Sequence, residues 1–97
     1  MKTMKEIKRT IEIHKNRLRS NYGIKEIGIF GSFAKASQDR KSDIDILVEF
    51  ERPIGLFGFV RLKFELSDLL GCPVDLVMKT ALKPRISRQI LSEVIYV

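Results

Sequence analysis

The chain has 97 residues, of which 44% are hydrophobic and 31% are charged, as in a globular protein with one core. It contains one cysteine, Cys72, no stretch apolar enough to cross a membrane, and no signal-peptide pattern at its N-terminus. The composition excludes a membrane-spanning protein and a disulfide scaffold, and it predicts a single cytoplasmic domain over residues 1–97.

Positive charge is concentrated in the N-terminal part of the chain. The formal net charge is +6, and residues 1–41 carry 11 Lys and Arg against 4 Asp and Glu, whereas residues 42–97 carry 7 against 8. Such an excess favours an anionic ligand, which would be a nucleotide, a nucleic acid or an acidic protein face. The alternative is a solvated helix face, which we favour for Lys5, Lys8, Arg9 and Lys15.

The first predicted element is an amphipathic helix over residues 1–22. Thr3 and Glu6 have the spacing of a capping box, and apolar side chains recur at steps of three and four residues as far as Leu18. Gly23 can take the left-handed conformation that ends a helix. No second metal-ligating residue stands near His14, so we interpret it as a packing residue.

A strand and a turn follow the first helix. Residues 24–30 are short and rich in isoleucine, which predicts a strand, and residues 33–37 are long enough for only one or two turns of helix. Between them, Gly31 and Ser32 would expose backbone N–H groups and a hydroxyl to a phosphate, with the helix dipole assisting. Lys35 would add a positive charge. A Gly-Ser turn alone is too common to be specific.

Residues 42–50 form a second predicted strand, which carries two carboxylates. Apolar residues alternate with the others, so Asp43 and Asp45 share the face opposite the isoleucines. Two carboxylates this close raise each other's pKa unless a cation lies between them, and Mg²⁺ binds through one or two carboxylates plus substrate phosphates. A solvated Asp-x-Asp turn is the simpler alternative, but it does not explain anions on an Ile-rich strand.

The remaining predicted elements are a helix over residues 54–70, a strand over residues 73–78, a helix from Pro84 and a closing strand over residues 94–97. This order predicts an α/β (α+β) fold, in which helices pack against a small mixed sheet of about four strands. Asp75 alternates away from the core face of its strand. If that strand lies beside residues 42–50, the three aspartates converge.

The helix over residues 54–70 is apolar nearly all round, more than one stripe can bury. It therefore either packs on both sides within the domain or forms an interface, with a partner protein or in a homo-oligomer.

The order and spacing of these residues resemble a known signature. Gly31-Ser32, ten further residues, Asp43-x-Asp45 and a later strand aspartate, Asp75, look like the DNA polymerase beta-like nucleotidyltransferase superfamily. Within it, the chain from about residue 24 resembles the minimal nucleotidyltransferases found as antitoxin partners of HEPN-domain toxins. The resemblance implies a catalytic core of the polymerase beta-like fold over residues 24–97.

The resemblance also implies a mechanism. ATP would bind with its triphosphate against residues 31–32 and Lys35, and Asp43, Asp45 and Asp75 would hold two Mg²⁺ ions, with Asp75 as the candidate base. In that family the acceptor is a tyrosine hydroxyl of the HEPN toxin, which the adjacent gene would encode here. The implied function is therefore AMPylation that silences a ribonuclease.

Two other functions compete with this one. Family members usually carry a glycine two residues after the basic residue of the loop, whereas Lys35 is followed by Ala36 and Ser37, and a side chain at a position that favours glycine is expected to distort the loop. This departure supports an antitoxin that neutralises its partner by binding alone. An RNA-modifying transferase or nucleic-acid binder ranks last, because no room remains for an RNA-holding domain and basic and aromatic residues do not interleave.

Overall fold

The computed structural model describes residues 3–38 and 42–97. Its elements are α1 (Met4–Tyr22), β1 (Ile24–Phe30), β2 (Ile44–Phe50), α2 (Leu56–Leu70), β3 (Val74–Met78), a 3-10 helix (Lys79–Ala81), α3 (Pro84–Glu93) and β4 (Ile95–Tyr96). Each predicted helix and strand is present except the short helix after β1, where residues 31–36 form turns instead. None of the helices in the described ranges is long and apolar enough to cross a bilayer.

The four strands form one mixed sheet in the order β3-β2-β1-β4, which confirms the predicted fold class. β1 is antiparallel to both β2 and β4, whereas β2 and β3 are parallel. Parallel neighbours need a long crossover connection, and the segment containing α2 supplies it. The connection thereby places β3 at the edge of the sheet beside β2.

Both predicted end signals of α1 are found. The side chain of Thr3 accepts a hydrogen bond from the Glu6 amide at 3.3 Å, and Gly23 takes a left-handed φ of 70° while its N–H donates to the carbonyl of Arg19. His14 is partly buried, and its Nδ1 lies 2.9 Å from the carbonyl oxygen of Thr10. This local contact agrees with the interpretation of His14 as a packing residue.

The main core lies between one face of the sheet and the two long helices. Its fully buried members come from α1, α2 and the inner faces of β1 and β2: Ile7, Ile11, Leu18, Ile29, Ile44, Ile46, Val48, Leu62, Leu66 and Leu70. Alternate residues of β2 therefore face the core, as its sequence predicts. The opposite face of the sheet carries buried Phe30 and Leu47, which do not belong to this cluster.

The helix α2 packs on one side only. Leu62, Leu66 and Leu70 are fully buried, whereas Phe57 and Phe64 are exposed. Of the two interpretations of this apolar helix, packing on both sides within the domain is therefore wrong. Within residues 3–38 and 42–97, no element covers the outer side of α2.

Candidate active site

Asp45 and Asp75 lie side by side on the two parallel strands. They are direct Cα partners in the β2–β3 register, so both side chains leave the sheet on the face opposite the main core. Their carboxyl groups are close enough for Asp75 to perturb the ionisation of Asp45, with Asp45 partly buried and Asp75 exposed. Adjacent strands are only about 4.8 Å apart, which accounts for this closeness. The structure therefore meets the condition that the sequence left open, namely that the third strand lies beside the second.

The environment of Asp45 disfavours its negative charge. Partial burial, the charge of Asp75, the charge of Asp43 and the hydrogen bond to Asp75 together raise the pKa of Asp45 to about 6. A carboxylate that is penalised by burial and by other carboxylates gains most from a nearby cation. Mg²⁺ fits these oxygen donors, because it needs only one or two protein carboxylates when phosphates and water supply the other ligands.

Asp43 stands at the edge of this pair. It is exposed, directly precedes β2 and acts on Asp45 through its charge. Among residues 3–38 and 42–97, no group of three or more Asp, Glu, His or Cys side chains is placed to hold a metal ion by itself. The three predicted carboxylates therefore form one close pair, Asp45 and Asp75, with Asp43 beside it. A metal ion at this place would need further oxygens from a ligand or from water.

Gly31 brings the backbone of the following turn against Asp45. Its φ is +74°, and a Cβ built at this position would overlap Oδ2 of Asp45 and lie 3.0 Å from its Cγ. Pairing of Phe30 with Asp45 across β1 and β2 sets up this approach. Only glycine tolerates both the left-handed backbone and the contact. The predicted phosphate turn and a predicted metal ligand are therefore immediate neighbours.

The turn over residues 31–36 differs from the predicted helix start. The Lys35 amide donates to the Gly31 carbonyl at 3.1 Å, and the Ser37 amide donates to the Ser32 carbonyl at 2.8 Å. These bonds close a single compact turn, which is too short to develop the dipole of a helix. An anion beside Ser32 would therefore be bound by individual amides and the hydroxyl, and the predicted contribution of a helix dipole is wrong.

Two further features of this turn bear on function. Lys35 forms an ion pair with Glu93 of α3, with 3.1 Å between Lys35 Nζ and Glu93 Oε1. The positive charge of Lys35 is therefore paired with a carboxylate of the same chain. Ala36 has a left-handed φ of 57°, the conformation that glycine adopts most readily. Ala36 belongs to the departure from the family pattern noted in the sequence, and it lies at a backbone position where a side chain causes strain.

A groove of about 620 Å³ adjoins the carboxylates. Asp43 and Asp75 lie on one wall, whereas Lys63, Phe64 and Ser67 from α2 form another. This volume falls within the range of small-ligand sites. The groove therefore offers space for a ligand next to Asp43 and Asp75, whereas Asp45, Gly31 and Ser32 do not line it.

Sequence reasoning did not identify Glu93 or Phe64 as site residues. Each reaches the site through a contact between segments distant in the chain, the first through Lys35 and the second through the groove wall beside Asp75. Neither stands in a recognisable local pattern. The high exposure of Phe64 on an amphipathic helix is the one signal that sequence could have suggested.

The sequence is similar to known nucleotide-transferring proteins. The model of the nucleotidyltransferase domain family matches residues 11–97. The chain is 45% identical over 97 residues to the protein adenylyltransferase MntA of Thermococcus cleftensis, and the match covers 100% of this chain and 98% of that one.

Solved structures give the same result. One chain described as a candidate minimal nucleotidyltransferase superposes with a TM-score of 0.83 at 34% identity, covering 97% of this chain and 95% of that one. A chain from a toxin-antitoxin complex crystallised with AMP-PNP superposes with a TM-score of 0.75 at 28% identity, covering 90% of this chain and 70% of that one.

Proposed function

Because this chain belongs to the nucleotidyltransferase domain family, as a minimal nucleotidyltransferase of the MntA protein adenylyltransferase type, we propose that it transfers AMP from ATP to a tyrosine hydroxyl of a HEPN-domain toxin. Such modification would neutralise the toxin, so the chain would act as an antitoxin. The observation that carries this proposal is the pairing of Asp45 with Asp75 on adjacent strands, beside the Gly31 turn.

The acidic residues would hold the metal that this reaction uses. Asp45 and Asp75 would bind Mg²⁺ together with triphosphate oxygens, and Asp43 would supply a further carboxylate at the edge of the groove. When bound, Mg²⁺ would neutralise phosphate charge and lower the pKa of the acceptor hydroxyl. Two ions would fit the chemistry, because attacking and leaving oxygens both develop charge in an in-line displacement.

The turn after β1 would bind the triphosphate. The amides of residues 35–37 donate the hydrogen bonds that close it, and the amide and hydroxyl of Ser32 would donate to a phosphate. Gly31 would keep this turn against Asp45, since a side chain at that position would displace the carboxylate. Lys35 would contribute its charge only after release from Glu93.

Asp75 would take the proton of the acceptor. The acceptor oxygen would form a bond to the α-phosphorus of ATP, and the bond from that phosphorus to the bridging oxygen would break. Pyrophosphate would leave with the electron pair, and the hydroxyl proton would pass to a carboxylate oxygen of Asp75. The exposure of Asp75 on the groove wall gives an incoming hydroxyl access to it.

Binding without catalysis is the second candidate function. The ion pair of Lys35 with Glu93 and the strained backbone of Ala36 both weaken the phosphate turn as a catalytic device. A chain with such a turn would still present the same surface to its partner. An Asp45→Asn variant that neutralises the toxin in the absence of nucleotide would establish this alternative.

Labelled ATP tests the catalytic proposal. The chain is incubated with α-labelled ATP, Mg²⁺ and the HEPN-domain protein encoded beside it, and label on that protein is measured for wild type, Asp45→Asn and Glu12→Gln. Glu12 is exposed on α1 and serves as a matched loss of one carboxylate. We expect labelling by wild type and Glu12→Gln only. Absence of labelling by wild type, or undiminished labelling by Asp45→Asn, would contradict the proposal.

A further inference from the structure

The outer side of α2 carries an exposed apolar stripe, which we define as Leu56, Phe57, Val60 and Phe64. Their side chains are 74%, 85%, 37% and 62% exposed, respectively. With 3.6 residues per turn, the four positions fall within an arc of about 100° on the helix. They therefore form one continuous surface rather than scattered exposed residues.

Within residues 3–38 and 42–97, no side chain of the stripe belongs to the hydrophobic core cluster. The side of α2 that packs on the sheet is formed by Leu62, Leu66 and Leu70, on the other side of the helix. Two exposed phenylalanines in one stripe are unusual, because transferring such a side chain from water to a packed site is worth roughly 1.5–3 kcal/mol. Burial of the stripe against another molecule would recover this free energy.

The stripe is continuous with the candidate active site. Phe64 belongs to it and also lines the groove that contains Asp43 and Asp75. The helix ends at Leu70, and Gly71–Pro73, which also belong to the groove wall, lead directly into β3. A macromolecule bound to the stripe would therefore also reach the groove that contains Asp75.

We propose that this stripe is the docking surface for the protein acceptor, which would cover Phe57 and Phe64 with an apolar segment of its own. This inference rests on the proposed function, since it assumes that the acceptor of the reaction is a protein. Two exposed cations, Arg61 and Lys63, flank the stripe on α2. The matching acceptor face is apolar at its centre and acidic at its rim.

A second copy of this chain fits the stripe less well. The stripe has only four side chains, two of them aromatic, and an aromatic side chain buries roughly 150–250 Å². A stable interface needs about 800 Å² on each partner, which the stripe alone does not supply. A second copy would also repeat the positive charge of Arg61 and Lys63. An acceptor that inserts a side chain into the groove would add the missing area.

Binding measurements with matched variants test this proposal. The dissociation constant for the HEPN-domain protein encoded beside the chain is measured without nucleotide for wild type, Phe57→Ser, Leu56→Ser and Ile13→Ser. Ile13 is 68% exposed on α1 and does not line the groove, so Ile13→Ser controls for loss of an exposed apolar side chain. We expect binding to weaken about tenfold or more for Phe57→Ser and Leu56→Ser and to stay unchanged for Ile13→Ser.

Four further readouts make the outcome decisive. Thermal unfolding and Mg-ATP binding of Phe57→Ser should match wild type, because an exposed position is changed. AMP transfer to a small acceptor, N-acetyltyrosinamide, should also be unaffected. In transfer to the protein acceptor, by contrast, the KM for that protein should rise. Equal binding by all variants, or equal loss in Ile13→Ser, would overturn the proposal.

Failure of the docking inference and failure of the catalytic one are distinguishable. A wild-type chain that transfers no AMP but binds its partner through Phe57 would overturn only the catalytic function. A wild-type dimer that Phe57→Ser converts to a monomer, with transfer to the protein unchanged, would assign the stripe to self-association and overturn the docking proposal.

Discussion

The α-carbon of Gly31 lies against the carboxylate of Asp45, so a side chain at position 31 would occupy space that Asp45 already fills. This contact couples the turn that follows β1 to the acidic pair on β2 and β3. A shift of either one would displace the other, and position 31 therefore controls both halves of the site.

We expect Gly31→Ala to abolish activity and to lower stability. A non-glycine residue at a φ of +74° costs roughly 1–3 kcal/mol, and the added methyl group would also push Asp45 from its partner Asp75. Transfer activity should fall about a hundredfold or more, in line with misplacement of reacting groups by about 1 Å. The measurements are chemical denaturation and labelled-ATP transfer.

Gly55→Ala is the matched control for this change. A Cβ at Gly55 meets no atom within 4 Å, and Gly55 does not require a left-handed backbone. The two variants add the same methyl group at sites that differ in available space. Equal stability and activity of the two variants would show that the contact with Asp45 is unimportant.

The raised pKa of Asp45 makes the stability of the metal-free protein depend on pH. Because its pKa is about 6 in the folded state and near 4 when unfolded, the folded protein holds the proton more tightly. Its contribution to stability is therefore present below about pH 4 and is lost as pH rises through about 6. In EDTA, we therefore expect the melting temperature of wild type, compared with that of Asp45→Asn, to fall as pH rises from about 4 through about 6.

Mg²⁺ should reverse this trend, because protons compete with the ion for the same carboxylate. Stabilisation by Mg²⁺ with a non-hydrolysable ATP analogue is expected to be larger at about pH 8 than at about pH 5 and to be weakened in Asp45→Asn. The readout is the melting temperature. A pH-independent difference between wild type and Asp45→Asn would contradict the assignment of Asp45 as the titrating group.

Ala36→Gly should stabilise the protein. Ala36 has a left-handed φ of 57°, a conformation that costs a non-glycine residue about 1–2 kcal/mol, partly offset by the greater chain entropy of glycine when unfolded. We expect the melting temperature to rise by a few degrees, about 4 °C for a gain near 1 kcal/mol. Ala34→Gly, in the same turn and without a positive φ, should instead be neutral or destabilising.

Glu93→Gln should release Lys35 for the triphosphate. Because the Lys35 side chain is half exposed, loss of its ion pair with Glu93 should change the free energy of unfolding by less than about 1 kcal/mol. If Lys35 binds phosphate, its release should lower the KM for ATP a few-fold with little change in kcat. Lys35→Met should raise KM in the same assay. Identical KM values for the two variants would exclude Lys35 from the phosphate site.

Local patterns predicted the secondary structure because each signal acts over a few residues. Thr3 and Gly23 bound α1 as expected from capping chemistry, and the alternation in β2 places Ile44 and Ile46 in the core. The segment after β1 was the exception, since the left-handed residues Gly31 and Ala36 replace helix with a turn. Nothing in the sequence itself fixes the backbone of an alanine in that conformation.

The sequence by itself determined most of the elements, the mixed fold and the candidate site residues, because periodicity, capping and turn preferences are local and the aspartates stand in a spaced motif. Only the tertiary structure decided that β3 lies beside β2, that Lys35 faces Glu93 and that Phe57 and Phe64 stay uncovered. These facts depend on contacts between residues far apart in the chain, and such contacts are set by the packing of whole elements against one another.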